Sequence, residues 1–272
     1  MNDNILNFVN LASPKLGTRV VEFTDDFFGD VSRMLKDEDP IFIPDKYDNH
    51  GKWMDGWESR RKRTEGNDWS IIALGSSGEI EEIEIDTSHF TGNFPPYASL
   101  EGIYSKEKPK FDDDWTSILK KTELKGDKSQ KFKVKSELIN YVRFQIYPDG
   151  GVARLRLNGN VLYDFKKNKK DIYELSSLNL GGKIISYNNA HYGDVSALLS
   201  EGRGKTMGDG WETRRRRTPG NDWIIIKLAH TGLIKKIEID TAHFKGNFPD
   251  RASIQCALIN DTSKVKKLID NS

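Results

Sequence analysis

Two short stretches of the sequence hold most of the residues that could do chemistry, and each stretch occurs twice. The first runs from Asp55 to Trp69, with its second copy at 209–223, and combines a glutamate, an arginine-rich run and a Gly-Asn-Asp-Trp ending. Arginine grips carboxylates through paired hydrogen bonds. A basic run is usually a solvated face, and here the arginines could instead pair structurally with Glu58, Asp68 and their repeats. An anion-binding loop and structural pairing therefore both stay open.

The second stretch runs from Asp86 to Pro95 and recurs at 240–249. His89 and His243 could act as acid–base groups or metal ligands, with the preceding aspartates orienting them. The alternative is a loop whose polar residues satisfy turn backbone while its phenylalanines fill the core. The stretch lacks a two-histidine metal signature, so the sequence requires no cofactor and leaves a divalent metal possible in principle.

A duplication explains why both stretches occur twice. Residues 55–99 align with residues 209–253 at a constant offset of 154, and 30 of the 45 positions are identical. Upstream, around residues 17–32, the offset is 164, so the first copy holds ten extra residues between Ser32 and Asp55. Inserts of this kind are expected in surface loops.

The elements that position these stretches are predicted to be short strands. Segments 19–23, 69–74 and 80–86 are rich in β-branched residues and bounded by turn-forming residues. Segments 141–147 and 152–157 flank Pro-Asp-Gly-Gly and predict a hairpin or a pair of sheet strands. Short helices are expected after Gly29-Asp30 and Gly193-Asp194. The pattern predicts an all-β fold with one β-sandwich or jelly roll per copy.

The domain organisation follows from the duplication. We predict a first repeat over 1–163, a linker rich in lysine and asparagine over 164–174, and a second repeat over 175–272. The counterparts of strands 141–157 would fall at 295–311, so the second repeat is expected to be truncated and to lack its C-terminal strands.

The bulk composition narrows the classes of function. Lysine and arginine number 42 against 41 acidic residues, which argues against a nucleic-acid or anionic-membrane partner. A single cysteine, and the absence of an apparent signal peptide, membrane-spanning segment or C-terminal peroxisomal signal, predict a cytoplasmic protein.

Four blocks of the sequence resemble signatures of the allantoicase family. They are Gly-Trp-Glu-(Ser/Thr)-Arg-Arg at 56–61, Gly-Asn-Asp-Trp at 66–69, Ile-Glu-Ile-Asp-Thr-x-His-Phe-x-Gly-Asn-Phe-Pro at 83–95, and Tyr-Pro-Asp-Gly-Gly-Val-Ala-Arg-Leu-Arg at 147–156. The resemblance implies two tandem galactose-binding-like jelly-roll β-sandwich domains. It also implies hydrolysis of allantoate to ureidoglycolate and urea in purine degradation, by a homo-oligomer.

That reaction suggests roles for the repeated residues. An arginine should hold the substrate's carboxylate, asparagine suits the ureido groups, and a histidine or an acid should move the proton. The candidate catalytic residues are His89, Asp86, Glu58, His243, Asp240 and Glu212. The candidate substrate-binding residues are Arg60, Arg61, Arg63, Asn67, Asp68, Asn93, Arg214, Arg215, Arg217, Asn221, Asp222 and Asn247.

Three alternatives to an active enzyme stay open at this point, and so does the choice of the repeat that hosts the site. The chain could be a degenerate, inactive relative of the family, or a sandwich protein that binds a small ligand without chemistry. Nucleic-acid binding through residues 60–63 and 214–217 is the third alternative.

Overall fold

The computed structural model describes residues 8–192 and 195–259, which form two compact units. The first unit spans Phe8–Lys169 and the second begins at Lys170, a boundary that lies inside the proposed linker. The described residues form β-strands and short 3-10 helices without any α-helix, which confirms the predicted all-β class. None of the described helices is long and apolar enough to cross a membrane.

The first unit contains twelve of the described strands. They are β1 (Val9–Asn10), β2 (Arg19–Phe23), β3 (Tyr47–Asp48), β4 (Gly51–Lys52), β5 (Trp57–Glu58), β6 (Asp68–Asp86), β7 (Tyr97–Ile103), β8 (Thr116–Glu123), β9 (Ser129–Lys133), β10 (Ile139–Tyr147), β11 (Gly151–Val152) and β12 (Arg154–Val161). The main sheet has the order β1-β12-β6-β10-β7-β8, and β2 and β9 also pair with β6. All of the pairings are antiparallel.

The long strand β6 connects two layers of this unit. Its first part pairs with β2 and β10, whereas its last part pairs with β9 and β12. The change of partners occurs between Gly75 and Gly78. A Cβ on Gly75 would lie 1.8 Å from the Leu16 carbonyl oxygen, and a Cβ on Gly78 would lie 2.4 Å from the Asn160 carbonyl oxygen. Only glycine therefore fits at these two positions. The two strands predicted at 69–74 and 80–86 are therefore one continuous strand.

The strands on either side of Pro-Asp-Gly-Gly do not pair with each other. β10 lies between β6 and β7, and β12 lies between β6 and β1, so the pair of sheet strands is present and the hairpin is not. Between them, Gly151 of β11 pairs with Glu58 of β5, and Val152 with Trp57. The Pro-Asp-Gly-Gly segment therefore fixes the main chain of Glu58.

Short 3-10 helices lie where the sequence predicted them. Val31–Leu35 begins after Asp30, whose side chain accepts a hydrogen bond from Ser32 N at 2.8 Å. Its counterpart in the second unit is Val195–Leu199. Gly193 and Asp194, which the prediction placed before that helix, lie outside the described residues. The remaining 3-10 helices are Pro14–Leu16, Leu178–Leu180 and Met207–Asp209.

The described part of the second unit has far less paired structure. Strands β13 (Lys183–Tyr187) and β14 (Ile224–Lys227) form one antiparallel pair, and no strand follows over residues 228–259. In the first unit the equivalent of segment 234–240 pairs with β9 and β12. Among the described residues of the second unit, no strand pairs with segment 234–240.

Candidate functional site

An open pocket of about 490 Å³ in the first unit brings three of the candidate residues together. Glu58, His89 and Asn93 line it, and so do Phe42, His50 and Lys52 from the segment that carries the ten extra residues. Its volume lies within the range usual for small-molecule sites. The pocket therefore combines the two repeated stretches with a part of the chain that is not repeated.

Glu58 is held by its neighbours in an environment that favours its protonated form. It lies on β5 and is partly buried, and Asn93 Nδ2 donates a hydrogen bond to its Oε1 at 2.7 Å. Burial is the largest influence and raises the pKa of this carboxyl. The Asn93 hydrogen bond opposes that rise and the Asp48 carboxylate adds to it, so the net pKa is raised. Acid–base groups in active sites commonly have perturbed pKa values of this kind.

His89 is fixed through its main chain and through its ring. Its backbone adopts the left-handed region with φ 71°, and its N–H donates to Asp127 Oδ1 at 2.8 Å. Its Nε2 lies 3.2 Å from the Pro40 carbonyl oxygen, which can only accept a hydrogen bond. Nε2 must therefore carry a proton, so in the neutral ring Nδ1 is the nitrogen that can accept one. The ring also stacks on Phe42 with centroids 5.7 Å apart.

Asp86 lies next to this site without orienting the histidine ring. Its buried carboxylate accepts a hydrogen bond from Ser88 N at 2.7 Å, and its carbonyl accepts one from Ala153 N. Phe90 is completely buried. This agrees with the alternative interpretation, in which phenylalanines of this stretch fill the core. The stretch therefore places Phe90 in the core and His89 and Asn93 at the pocket.

The arginine-rich run lies outside the residues that line this pocket. Arg60 binds Asp25 through Nε at 2.7 Å and Nη2 at 2.6 Å, and these hydrogen bonds outweigh burial and lower the pKa of Asp25. Lys62 lies 2.8 Å from the buried carboxylate of Asp68. Asn67 donates to Gln145 and to the Asp68 carbonyl, while Arg61 and Arg63 are exposed. Structural pairing is thus the interpretation that applies to Arg60, although its acid is Asp25.

The second unit reproduces the repeated half of the site. Asn247 donates to Glu212 at 2.7 Å, and His243 has φ 72° with its Nε2 2.8 Å from the Gly204 carbonyl oxygen. These contacts match Asn93–Glu58 and His89–Pro40. The same local sequence therefore builds the same local geometry twice.

The other candidates of the second unit take part in local contacts. Asp240 accepts a hydrogen bond from Ala242 N, and Arg214 Nε lies 3.3 Å from His191. Asp222 binds Arg216 at 2.6 Å, and this pairing outweighs burial and lowers its pKa. Asn221 donates to the Asp222 carbonyl, and Arg215 and Arg217 are exposed.

Comparison with known proteins decides the family. The family model for the allantoicase repeat matches residues 9–162 and 173–271. The chain belongs to the allantoicase family. It is 49% identical over 255 residues to a probable allantoicase of Burkholderia mallei, with 93% of this chain and 76% of that relative covered. A probable allantoicase of Rhizobium meliloti is 49% identical over 250 residues, covering 92% of this chain and 73% of its own length.

Solved allantoicase structures share the fold. One allantoicase is 35% identical with a TM-score of 0.72, covering 81% of this chain and 68% of that structure. The allantoicase of Saccharomyces cerevisiae is 34% identical with a TM-score of 0.73, covering 84% of this chain and 71% of its own. These matches confirm the tandem β-sandwich architecture predicted from the sequence.

Two further features of this allantoicase-family chain bear on its chemistry. Within residues 8–192 and 195–259, no group of three or more His, Cys, Asp or Glu side chains is placed to hold a metal ion.

The sequence did not predict that Lys52, His50 and Phe42 line the pocket. The candidate residues were those that both repeats share, whereas these three lie in a segment that only the first repeat contains. The change of the repeat offset from 164 to 154, which marks ten extra residues in the first repeat, was the signal that could have identified these pocket residues.

Proposed function

We propose that this chain hydrolyses allantoate to ureidoglycolate and urea in the pocket of its first unit. The observation that carries the proposal is Glu58, a partly buried carboxyl held at 2.7 Å by Asn93 in the pocket that His89 also lines. Membership of the allantoicase family supports the reaction. Allantoate bears one carboxylate and two ureido groups on a single carbon, so the site must bind an anion and exchange protons with a C–N bond.

The proton transfers can be assigned to the two titratable groups. The C–N bond to one ureido nitrogen breaks, a water oxygen becomes bonded to the central carbon, and the departing nitrogen needs a proton. Glu58 supplies this proton, because its raised pKa keeps a larger fraction protonated near neutral pH. His89 Nδ1 accepts the proton released from the water or from the second ureido group. Asn93 keeps its carbonyl oxygen available for a ureido N–H.

The decisive test is urea release from allantoate by the purified chain and by Glu58→Gln. We expect the variant to lower kcat by about 100-fold or more, which is the usual contribution of general acid–base catalysis. Glu107→Gln removes the same charge at an exposed position outside the pocket and is the matched control. A Glu58→Gln variant that keeps kcat within about threefold would show that Glu58 is not the acid.

The small-molecule substrate follows from this proposal, whereas the assembly state needs its own measurement. The family resemblance implies a homo-oligomer, and we propose the same for this chain. Light scattering coupled to size-exclusion chromatography tests it directly, since a monomeric mass would contradict it.

A further inference from the structure

We propose that Lys52, which is carried by a hairpin described only in the first repeat, binds the substrate's carboxylate. This inference rests on the proposed function and deepens it. It assigns the anion-binding role to a residue outside both repeated stretches, in place of the arginines that the sequence suggested.

The structure shows where the extra residues of the first repeat begin. His89 Nε2 contacts the carbonyl oxygen of Pro40, and His243 Nε2 contacts that of Gly204. Pro40 and Gly204 differ by 164, which is the offset found upstream of the insert. The repeats are thus equivalent up to Pro40, and the ten extra residues lie between Pro40 and Asp55.

The extra residues build a small hairpin at the mouth of the pocket. Strands β3 and β4 pair Tyr47 with Lys52 and Asp48 with Gly51, so His50 lies in the turn and Lys52 on the returning strand. The hairpin is joined to the repeated stretch through Phe42. The Lys52 ammonium lies 4.5 Å from the centre of the Phe42 ring, whose face stacks on His89. Phe42 therefore contacts both Lys52 and the proposed proton acceptor.

Lys52 is the cationic side chain that the pocket offers to an anionic substrate. Glu58 and Asp127 contribute acidic groups, and Lys52 is the one lysine or arginine among the described residues that line it. Arg60 is engaged by Asp25. A carboxylate ligand entering this pocket has no other lysine or arginine to neutralise it.

The second repeat lacks the hairpin that carries Lys52. Its shorter segment contains Lys205-Thr206-Met207, and the Met207 sulfur lies 4.0 Å from the Asn247 amide nitrogen. The Glu212–Asn247 pair and His243 are present, but the described residues there form no strand pair equivalent to β3 and β4. The difference between the two units is therefore the element that presents the lysine.

The test compares Lys52→Ala, Lys52→Arg and Lys46→Ala with the wild-type chain. Lys46→Ala removes the same charge from the same segment, where the ammonium lies 3.6 Å from the centre of the Trp53 ring instead of lining the pocket. We expect Lys52→Ala to raise KM for allantoate about 10- to 100-fold, the usual value of a charge-assisted hydrogen bond. Lys52→Arg should keep KM close to the wild-type value, and Lys46→Ala should change KM less than about threefold.

Direct calorimetric titration separates charge recognition from structural damage. The probes are allantoate and its neutral primary amide, titrated into the Glu58→Gln protein with and without Lys52→Ala, so that turnover does not consume the allantoate. Loss of affinity for allantoate alone is the expected result. Equal losses for both probes, or equal effects of Lys52→Ala and Lys46→Ala, would overturn the role of Lys52.

The same two measurements distinguish this inference from the proposed function. Urea release with a KM that Lys52→Ala leaves unchanged would refute the role of Lys52 and keep the activity. Lysine-dependent binding of allantoate without urea release would keep the anion site and refute the activity. A wild-type chain that neither binds nor cleaves allantoate would refute both.

Discussion

At the scale of single residues, the site depends on groups whose partners lie far away in sequence. Glu58 is paired with Asn93, 35 positions later, and Arg60 with Asp25, 35 positions earlier. Types and local spacing were enough to single out Glu58, His89 and Asn93. They could not show that Asp25 forms an ion pair with the Arg60 guanidinium, because that contact depends on how the pairing of β2 with β6 brings distant loops together.

The raised pKa of Glu58 predicts a trade between stability and activity. The folded chain holds this proton more tightly than the unfolded chain, so wild-type stability falls as pH rises from the unfolded pKa through the raised folded pKa. Glu58→Gln removes this loss. Its melting temperature should exceed that of the wild type at pH values above the folded pKa, and the gap should close below the unfolded pKa.

Thermal unfolding followed by circular dichroism measures these melting temperatures. It avoids urea as a denaturant, because urea is the proposed product. Glu107→Gln, at an exposed position, provides the baseline for loss of one negative charge. A gap between Glu58→Gln and wild type that stays constant with pH would contradict the assigned shift.

At the scale of elements, the hairpin with the extra residues is anchored at its base by a buried ion pair. Arg154 of β12 is completely buried, with Nη2 2.6 Å from Asp55 Oδ2 and Nε 2.7 Å from the Glu38 carbonyl oxygen. Lys36 and Ile41 N also donate to the Asp55 carboxylate. Burial opposes ionisation of Asp55, but the hydrogen bonds from Lys36 and Arg154 outweigh it and lower its pKa. One strand thus fixes both ends of the segment that covers the pocket.

Loss of this ion pair should unfold the pocket cover and destabilise the unit. Arg154→Met removes the guanidinium from the buried Asp55 carboxylate, which Lys36 and Ile41 N still contact, so the loss should lie near the lower end of the range of about 3–5 kcal/mol for a broken buried ion pair. Lys108→Met is the control, because the side chains of Lys108 and its partner Glu22 are 51% and 40% exposed and such pairs contribute about 1 kcal/mol or less. Guanidinium unfolding should separate the two variants, and equal losses would contradict the anchoring role.

The elements themselves could be predicted to different degrees. β2 spans Arg19–Phe23, the segment predicted from its β-branched residues, because local composition and sheet pairing agree there. The continuity of β6 was missed, because Gly75-Ser76-Ser77-Gly78 has the composition of a turn. Pairing on both sides of that segment overrides its local preference. The hairpin at 47–52 was missed because it has no second copy to compare with.

At the scale of the whole molecule, identical sequence meets two different environments. Ile83 and Ile85 of β6 are completely buried and β6 is paired there with β9 and β12, whereas Ile237 and Ile239, their counterparts in the second unit, are 51% and 57% exposed. The alternation of apolar and charged residues is the same in both copies. Burial therefore follows from the partner strands, which the first unit has and the described second unit does not.

This contrast gives a test in which one substitution is made at two equivalent sites. Ile83→Ala should destabilise the first unit by about 2–5 kcal/mol, since it removes buried apolar volume from a packed core. Ile237→Ala should change stability by no more than about 0.5 kcal/mol, as is usual for exposed positions. Guanidinium unfolding monitored by circular dichroism compares them in one chain. Equal destabilisation by both substitutions would mean that Ile237 is buried in solution, and that the second unit finds a cover for the face that the first unit covers with β9 and β12.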